Sequence, residues 1–213
     1  MDMEKELSLG KALLIIGLSL LLIIGAGLFV GYQFFWNQYE QVTVDDVQFK
    51  AAQDLVKKEP KDPKSHLALG YQYLKRGDKE KALKEYQEAQ KLAKPDDLAV
   101  LFNLGLAYKE IGKKEEAVKH FEKVVQKNKW HFLAQYNLAL LYAEKKEYDK
   151  SLKAFDVALR LESGAADVLT SRARVYMEMG EMAKARADIE KALKFVPDYQ
   201  EALQLKQELA KRQ

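Results

Sequence analysis

The sequence predicts an all-α protein: one transmembrane helix, then a superhelical solenoid of about four stacked helix hairpins with a cap helix at each end. Three observations carry that prediction. Ala12 to Gly31 is a run of 20 residues without a charge, and the stretch stays uncharged to Tyr39. Beyond it, a small residue, an aromatic residue and a turn residue recur with a period of 34 or 35. All four prolines (Pro60, Pro63, Pro95, Pro197) stand at the junctions this period defines, and none falls inside a predicted helix, where each would cost about 3 kcal/mol.

Residues 1–11 read as a short N-terminal tail. Residues 12–31 read as the transmembrane helix, because 20 residues rising ~1.5 Å each span about 30 Å, the thickness of a hydrocarbon core. Thirteen of them are Leu, Ile, Phe or Val, a gross contribution on the order of 4–8 kcal/mol in favour of insertion. A cleaved signal peptide is the competing reading, with Gly25-Ala26-Gly27 as the small residues at the cut. The apolar run is longer than such a leader needs, and no cysteine is present to carry a lipid. Residues 32–43 read as a juxtamembrane linker whose Tyr32, Phe34, Phe35, Trp36 and Tyr39 suit the headgroup layer. Lys5, Lys11 and the amino terminus flank the span on one side, whereas Lys50 is the one cation in the 20 residues after Gly31. The positive-inside rule therefore predicts a single-pass protein of the cell membrane, N-terminus cytoplasmic and solenoid extracytoplasmic. Gly27 and Gly31 form a GxxxG match, a seam through which two anchors would pair weakly as a homodimer.

Residues 44–59 read as an N-terminal cap helix, and 198–213 as a C-terminal one with Asp198 as its N-cap. Between them lie the repeats, at 63–97, 98–131, 132–165 and 166–197. Gly70, Gly105, Ala139 and Ala173 are their small residues. Tyr73, Tyr108, Tyr142 and Tyr176 follow three positions on, and Gly77, Gly112, Lys146 and Gly180 follow seven on. Ala82, Ala117, Ser151 and Ala185 stand twelve on, and Tyr86, Phe121, Phe155 and Ile189 sixteen on. A small residue lets two antiparallel helices approach, and the large side chain opposite fills the space beside it. Glycine between the helices supplies the left-handed conformation that ends the first. One hairpin cannot bury its apolar face alone, so successive units stack.

The segments LFNLGLAYKEIGKKEEAVKHFEKVV and LALGYQYLKRGDKEKALKEYQEAQ carry this pattern most fully. Over roughly residues 63–197 the chain resembles the tetratricopeptide repeat (TPR) family, in the layout of a membrane-anchored member. His66 and Gln135 depart from the usual opening aromatic residue, Ser151 from the packing alanine, Lys146 from the turn glycine and Arg172 from a usual leucine. The resemblance implies a right-handed superhelix in which the first helix of each repeat lines a groove. It also implies the facing positions: Leu67, Tyr71 and Leu74 in repeat one, Phe102 and Leu106 in repeat two, and Leu133, Tyr136 and Leu140 in repeat three. Repeat four turns polar there, with Asp167, Thr170 and Arg174.

Little else suggests chemistry. With 48% hydrophobic residues the chain of 213 can build a substantial core, and a net charge of +3 from interspersed residues does not favour nucleic acid. Cysteine is absent, which removes disulfides and thiol chemistry. His66, His120 and His131 are the histidines, and no two have the i, i+4 spacing that would aim two imidazoles at one metal. Carboxylate pairs such as Glu115-Glu116 sit at helix starts, where the dipole favours them. The expectation is a protein that is not an enzyme, with no cofactor and no metal. The resemblance implies a protein or peptide partner. The function expected is a membrane-tethered interaction scaffold or chaperone-like assembly factor that binds an apolar or amphipathic segment in the groove, with the bilayer engaged through residues 12–31. The alternative is a structural adaptor that organises a membrane complex through the convex face or the anchor.

Overall fold

The computed structural model describes residues 3–31 and 43–212, with side chains in the first helix described at Leu14 and from Gly17 on. It holds eleven helices among the described residues: α1 (Met3–Gly31), α2 (Val44–Lys58), α3 (Pro63–Lys75), α4 (Lys79–Leu92), α5 (Leu98–Glu110), α6 (Lys114–Lys127), α7 (Phe132–Glu144), α8 (Tyr148–Leu161), α9 (Ala166–Glu178), α10 (Met182–Phe195) and α11 (Gln200–Lys211). The chain divides into two compact units, Met1–Gln48 and Phe49–Gln213.

In the first unit α1 opens at Met3 and takes in most of the stretch expected as a tail. Its described side chains from Leu18 to Val30 are exposed, and all but Ser19 are apolar. Among the described residues no helix is long and apolar enough to cross a membrane. The expected segment over 12–31 is met as a helix, but its crossing of a membrane is not supported. The expected aromatic linker lies outside the described residues except for Thr43.

The second unit is an all-α solenoid. Helices pair as α3/α4, α5/α6, α7/α8 and α9/α10, and each pair packs on the next through α4–α5, α6–α7, α8–α9 and α10–α11. Four left-handed residues close the hairpins: Gly77, Gly112 and Gly180 at φ 78° to 79°, and Lys146 at 58°. At every one the amide three residues past the helix donates to the backbone carbonyl of the same tyrosine of the repeat. Asp78 reaches Tyr73 at 2.9 Å, Lys113 reaches Tyr108 at 2.9 Å, and Glu147 and Glu181 reach Tyr142 and Tyr176 at 2.8 Å. That is the Schellman arrangement, which satisfies carbonyls the helix end would otherwise strand. Lysine at 146 adopts it at a steric cost that glycine avoids.

The close approaches follow the spacing. A Cβ added at Gly105 would stand 2.7 Å from the Phe121 ring, and one at Gly70 would overlap the Tyr86 ring. Tyr86, Phe121, Phe155 and Ile189 are all buried to within 1%. Asp62 and Asp97 cap α3 and α5 through their carboxylates, at 3.1 Å to Lys64 N and 2.9 Å to Ala99 N. At α11 the expectation needs correction. Tyr199, not Asp198, holds the N-cap position and makes no side-chain bond there, and the Asp198 carbonyl accepts from the Gln200 side chain at 3.1 Å.

Ten helices follow α1 among the described residues, four hairpins and the two lone helices α2 and α11, five repeats' worth of helix in all. The solenoid is thus about five repeats long rather than the four expected. The spacing could count only hairpins in which both helices carry the signature, whereas α2 and α11 stand as half-units.

Candidate partner-binding groove

The helices α3, α5, α7 and α9 are the first members of their hairpins, and α3–α5 and α7–α9 touch. They therefore share one face of the solenoid, and the candidate residues divide sharply on it. Tyr71 on α3 is 54% exposed and Leu133 on α7 is 49% exposed. The other six are half-buried. Leu67 and Leu74 pack against the cluster around Tyr86 and Leu104, and Phe102, Leu106, Tyr136 and Leu140 pack against the cluster around Phe121 and Phe155.

Phe102 and Tyr136 are occupied in detail. The Phe102 ring lies 5.6 Å from Phe121 and 4.9 Å from His131. His131 is the N-cap of α7, its Nδ1 accepting from Ala134 N at 3.2 Å. The Tyr136 ring lies 6.3 Å from Phe155 and 6.5 Å from Phe132, and its hydroxyl is 3.2 Å from Ser171 Oγ on α9. Burial raises the Tyr136 phenol above its ordinary range. Both residues join one hairpin to the next before they could meet a ligand.

The polar groups at the groove are also committed. Asn103 and Asn137 donate to the carbonyls of Ala99 and Leu133 at 2.8 Å and 2.7 Å. Lys109 Nζ donates to Asn137 Oδ1 at 2.7 Å, tying α5 to α7. Lys109 was missed by the sequence reasoning, although it stands one period after Leu74. In repeat four Thr170 is buried with its hydroxyl on Ala166 O at 2.7 Å. Asp167 accepts from Val168 N at 2.8 Å, and Arg174 is exposed.

The histidines are spread over different structural tasks. His66 is buried, with Nδ1 at 2.8 Å from Glu85 Oε2 and Nε2 at 3.0 Å from Pro60 O. Burial opposes its charge, but the Pro60 carbonyl and the Glu85 carboxylate outweigh that and raise its pKa. His120 stacks 5.1 Å from Tyr108, and burial lowers its pKa. Among the described residues no group of three or more His, Asp or Glu could hold a metal ion.

Comparison with known proteins agrees with this architecture. Three family models, each described as tetratricopeptide repeat, match residues 62–127, 102–167 and 166–199. Similar solved structures include MamA, 21% identical over 73% of this chain and 96% of that one, with a TM-score of 0.65. YrrB, described as a TPR protein with an unusual peptide-binding site, is 17% identical over 80% of this chain and 88% of that one, with a TM-score of 0.66. A chain of the APC/C hetero-tetramer Cut9-Hcn1 is 22% identical over 78% of this chain and 33% of that one, with a TM-score of 0.71. At these identities the likeness is one of fold. No curated protein matches the sequence.

Proposed function

Through residues 62–199 the chain belongs to the tetratricopeptide repeat family, and from that premise we propose that it is a membrane-tethered protein–protein interaction scaffold. In this role it holds an apolar or amphipathic segment of a partner in the groove of α3, α5 and α7, as a chaperone-like assembly factor would. One observation carries the proposal: Tyr71 and Leu133 are large apolar side chains left about half exposed on a face whose other large residues are packed away. Proteins of this family are in general non-enzymatic scaffolds, and nothing among the described residues points to catalysis. That YrrB is described by a peptide-binding site suits a peptide-like ligand here.

The tether is α1. Support for it comes from the uncharged run over 12–31 and from the exposed apolar side chains of Leu18 to Val30. Lys5 and Lys11 favour a cytoplasmic N-terminus and an extracytoplasmic solenoid. Full burial of a side chain of this size contributes ~1.5–3 kcal/mol, so the remaining halves of Tyr71 and Leu133 supply about 1.5–3 kcal/mol together. Association costs roughly 4–15 kcal/mol. Binding through this pair is therefore weak, and confinement beside a membrane-bound client raises the effective concentration enough to make it useful. An adaptor role through the anchor would use the GxxxG match of Gly27 and Gly31.

Photo-crosslinking in native membranes tests the groove. A crosslinker at Tyr71 or Leu133 should capture a partner, and one at Glu122 on α6 should not. Tyr71→Glu and Leu133→Glu should weaken capture while leaving the helical signal intact, and Arg174→Ala should matter less. Equal capture from Glu122 would move the function to the adaptor role.

A further inference from the structure

One edge of the solenoid is lined with lysine. It is the edge at which α2, α4 and α6 end, at Lys58, Leu92 and Lys127, and α3, α5 and α7 begin. Bonds across the loops hold it together. Lys127 Nζ stands 2.8 Å from Asp96 Oδ2 in the loop before α5, and His66 joins the Pro60 carbonyl to Glu85 on α4. Lys58, Lys61, Lys64, Lys94 and Lys129 are exposed here, and none has a carboxylate within ion-pair distance among the described residues. The nearby acids are mostly spent: Asp62 and Asp97 as helix caps, Asp96 on Lys127. Glu59 remains.

Large apolar side chains stand among and beyond these lysines, one per junction. Leu92, Trp130, Leu161 and Phe195 are between 39% and 51% exposed. Lys129 Nζ lies 5.7 Å from the Trp130 ring, and Phe195 sits against Gly164 in the loop before α9. Around Leu92 and Trp130, single exposed apolar side chains stand among ammonium groups that have no carboxylate partner among the described residues, a pairing that matches a surface that is anionic and apolar just beneath. We propose that this edge docks on an anionic lipid bilayer, with Trp130 and its neighbours entering the headgroup layer and the lysines meeting lipid phosphates; with the solenoid extracytoplasmic, those lipids are acidic ones of the extracytoplasmic leaflet. For its strength the docking rests on the anchor reading, because a tethered solenoid faces the bilayer at high effective concentration.

The test uses the full chain reconstituted in vesicles with bromine-labelled lipids. The sequence has two tryptophans, so Trp36→Phe leaves Trp130 as sole reporter. Trp130 should be quenched in phosphatidylcholine vesicles containing phosphatidylserine, and much less in phosphatidylcholine alone. The combined Lys58→Gln, Lys61→Gln, Lys94→Gln and Lys129→Gln variant should shift the docked-to-free ratio down by about fivefold per lysine. A second reporter, Leu21→Trp with Trp36→Phe and Trp130→Phe, reads the anchor separately. Quenching at 21 without quenching at 130 overturns the edge and leaves the anchor standing. Quenching at 130 without quenching at 21 supports the edge and removes the anchor. Unquenched Trp130, equal quenching in neutral vesicles, or capture of protein instead of lipid by a crosslinker at Phe195 overturns the inference.

Discussion

Replacing Tyr86 by phenylalanine should stabilise the protein, although it deletes a buried polar group. Tyr86 is 0% exposed, its ring closes on Gly70, and its hydroxyl has no hydrogen-bond partner among the described residues. Burial pushes the phenol well above its ordinary pKa, so the group remains a neutral donor without an acceptor. Leaving a hydroxyl unsatisfied in an apolar site costs about 1–3 kcal/mol by protein mutational data. Removing the oxygen forfeits a handful of dispersion contacts at ~0.1–0.2 kcal/mol each, or about 0.5–1 kcal/mol in all. The expected net gain is ~1 kcal/mol. Phe121 and Phe155 occupy the same position in the next two hairpins, so the bare ring already fits this packing. In thermal melts a gain of that size raises Tm by roughly 2–4 °C in a protein of this length. Stacked repeats can melt piecemeal, so hydrogen exchange should place the gain on α3 and α4. The reciprocal change, Phe121→Tyr, should cost ~1–3 kcal/mol. A Tyr86→Phe variant that loses 1 kcal/mol or more would refute the reasoning, because the hydroxyl must then be satisfied, as by a bridging water.

Three further outcomes follow from other contacts. Ala117→Asp places a charge at a 0% exposed position between α5 and α6, so urea unfolding should show a loss of about 3 kcal/mol or more, and an unchanged midpoint would mean the repeat register is wrong. Arg172 makes two 2.7 Å bonds to the buried Asp188 and one of 2.6 Å to Asp156. Arg172→Leu should thus cost ~3–5 kcal/mol by stranding Asp188, while Arg172→Leu with Asp188→Ala recovers most of it; additive losses would show the pair is not coupled. His66 has a raised pKa, from Pro60 O and Glu85 acting against burial. Its stabilising contribution is therefore complete below the ordinary imidazole pKa and fades as pH rises through the higher folded value. The stability difference between the parent and His66→Gln should shrink from mildly acid to mildly alkaline pH, and a difference that grows would reverse the assignment.

Much of the fold was legible because its contacts recur at fixed spacing. Gly70 and Tyr86 are sixteen residues apart, Gly105 and Phe121 likewise, and both pairs meet across their hairpins. Gly77, Gly112 and Gly180 could be read as left-handed turns from residue type alone, and the period then assigned Lys146 to the same conformation. Legibility ended where periodicity did. A lone helix such as α11 has no partner helix to repeat against, so its N-cap had to be judged from residue preference, and Asp198 looked better than Tyr199. At the other end Lys11 ended the uncharged run, but it and Glu4, Lys5 and Glu6 are good helix formers, and α1 includes them. Apolarity marks what lies in lipid, whereas backbone hydrogen bonding marks where a helix stops.

The groove was legible only as a face. A residue's place in the repeat fixes the side of the first helix it occupies, but not what stands opposite. Leu67, Phe102 and Tyr136 share one repeat position, yet Phe102 is held between Phe121 and His131 and Tyr136 between Phe155 and Ser171. Phe121 and Phe155 each stand nineteen residues on, as the period requires, but His131 at the start of α7 and Ser171 on α9 stand at different offsets, and no single-repeat pattern encodes them. Burial thus separates two jobs among the eight candidates. Tyr71 and Leu133 present apolar surface, and the packed residues determine where that surface sits. Phe102 stacks on His131, His131 caps α7, and Leu133 is the second residue of that helix. A change at Phe102 would therefore move Leu133 by disturbing the start of α7. Loss of capture in a Phe102 variant would report a displaced helix, and loss in a Leu133 variant with α7 intact would report the contact itself.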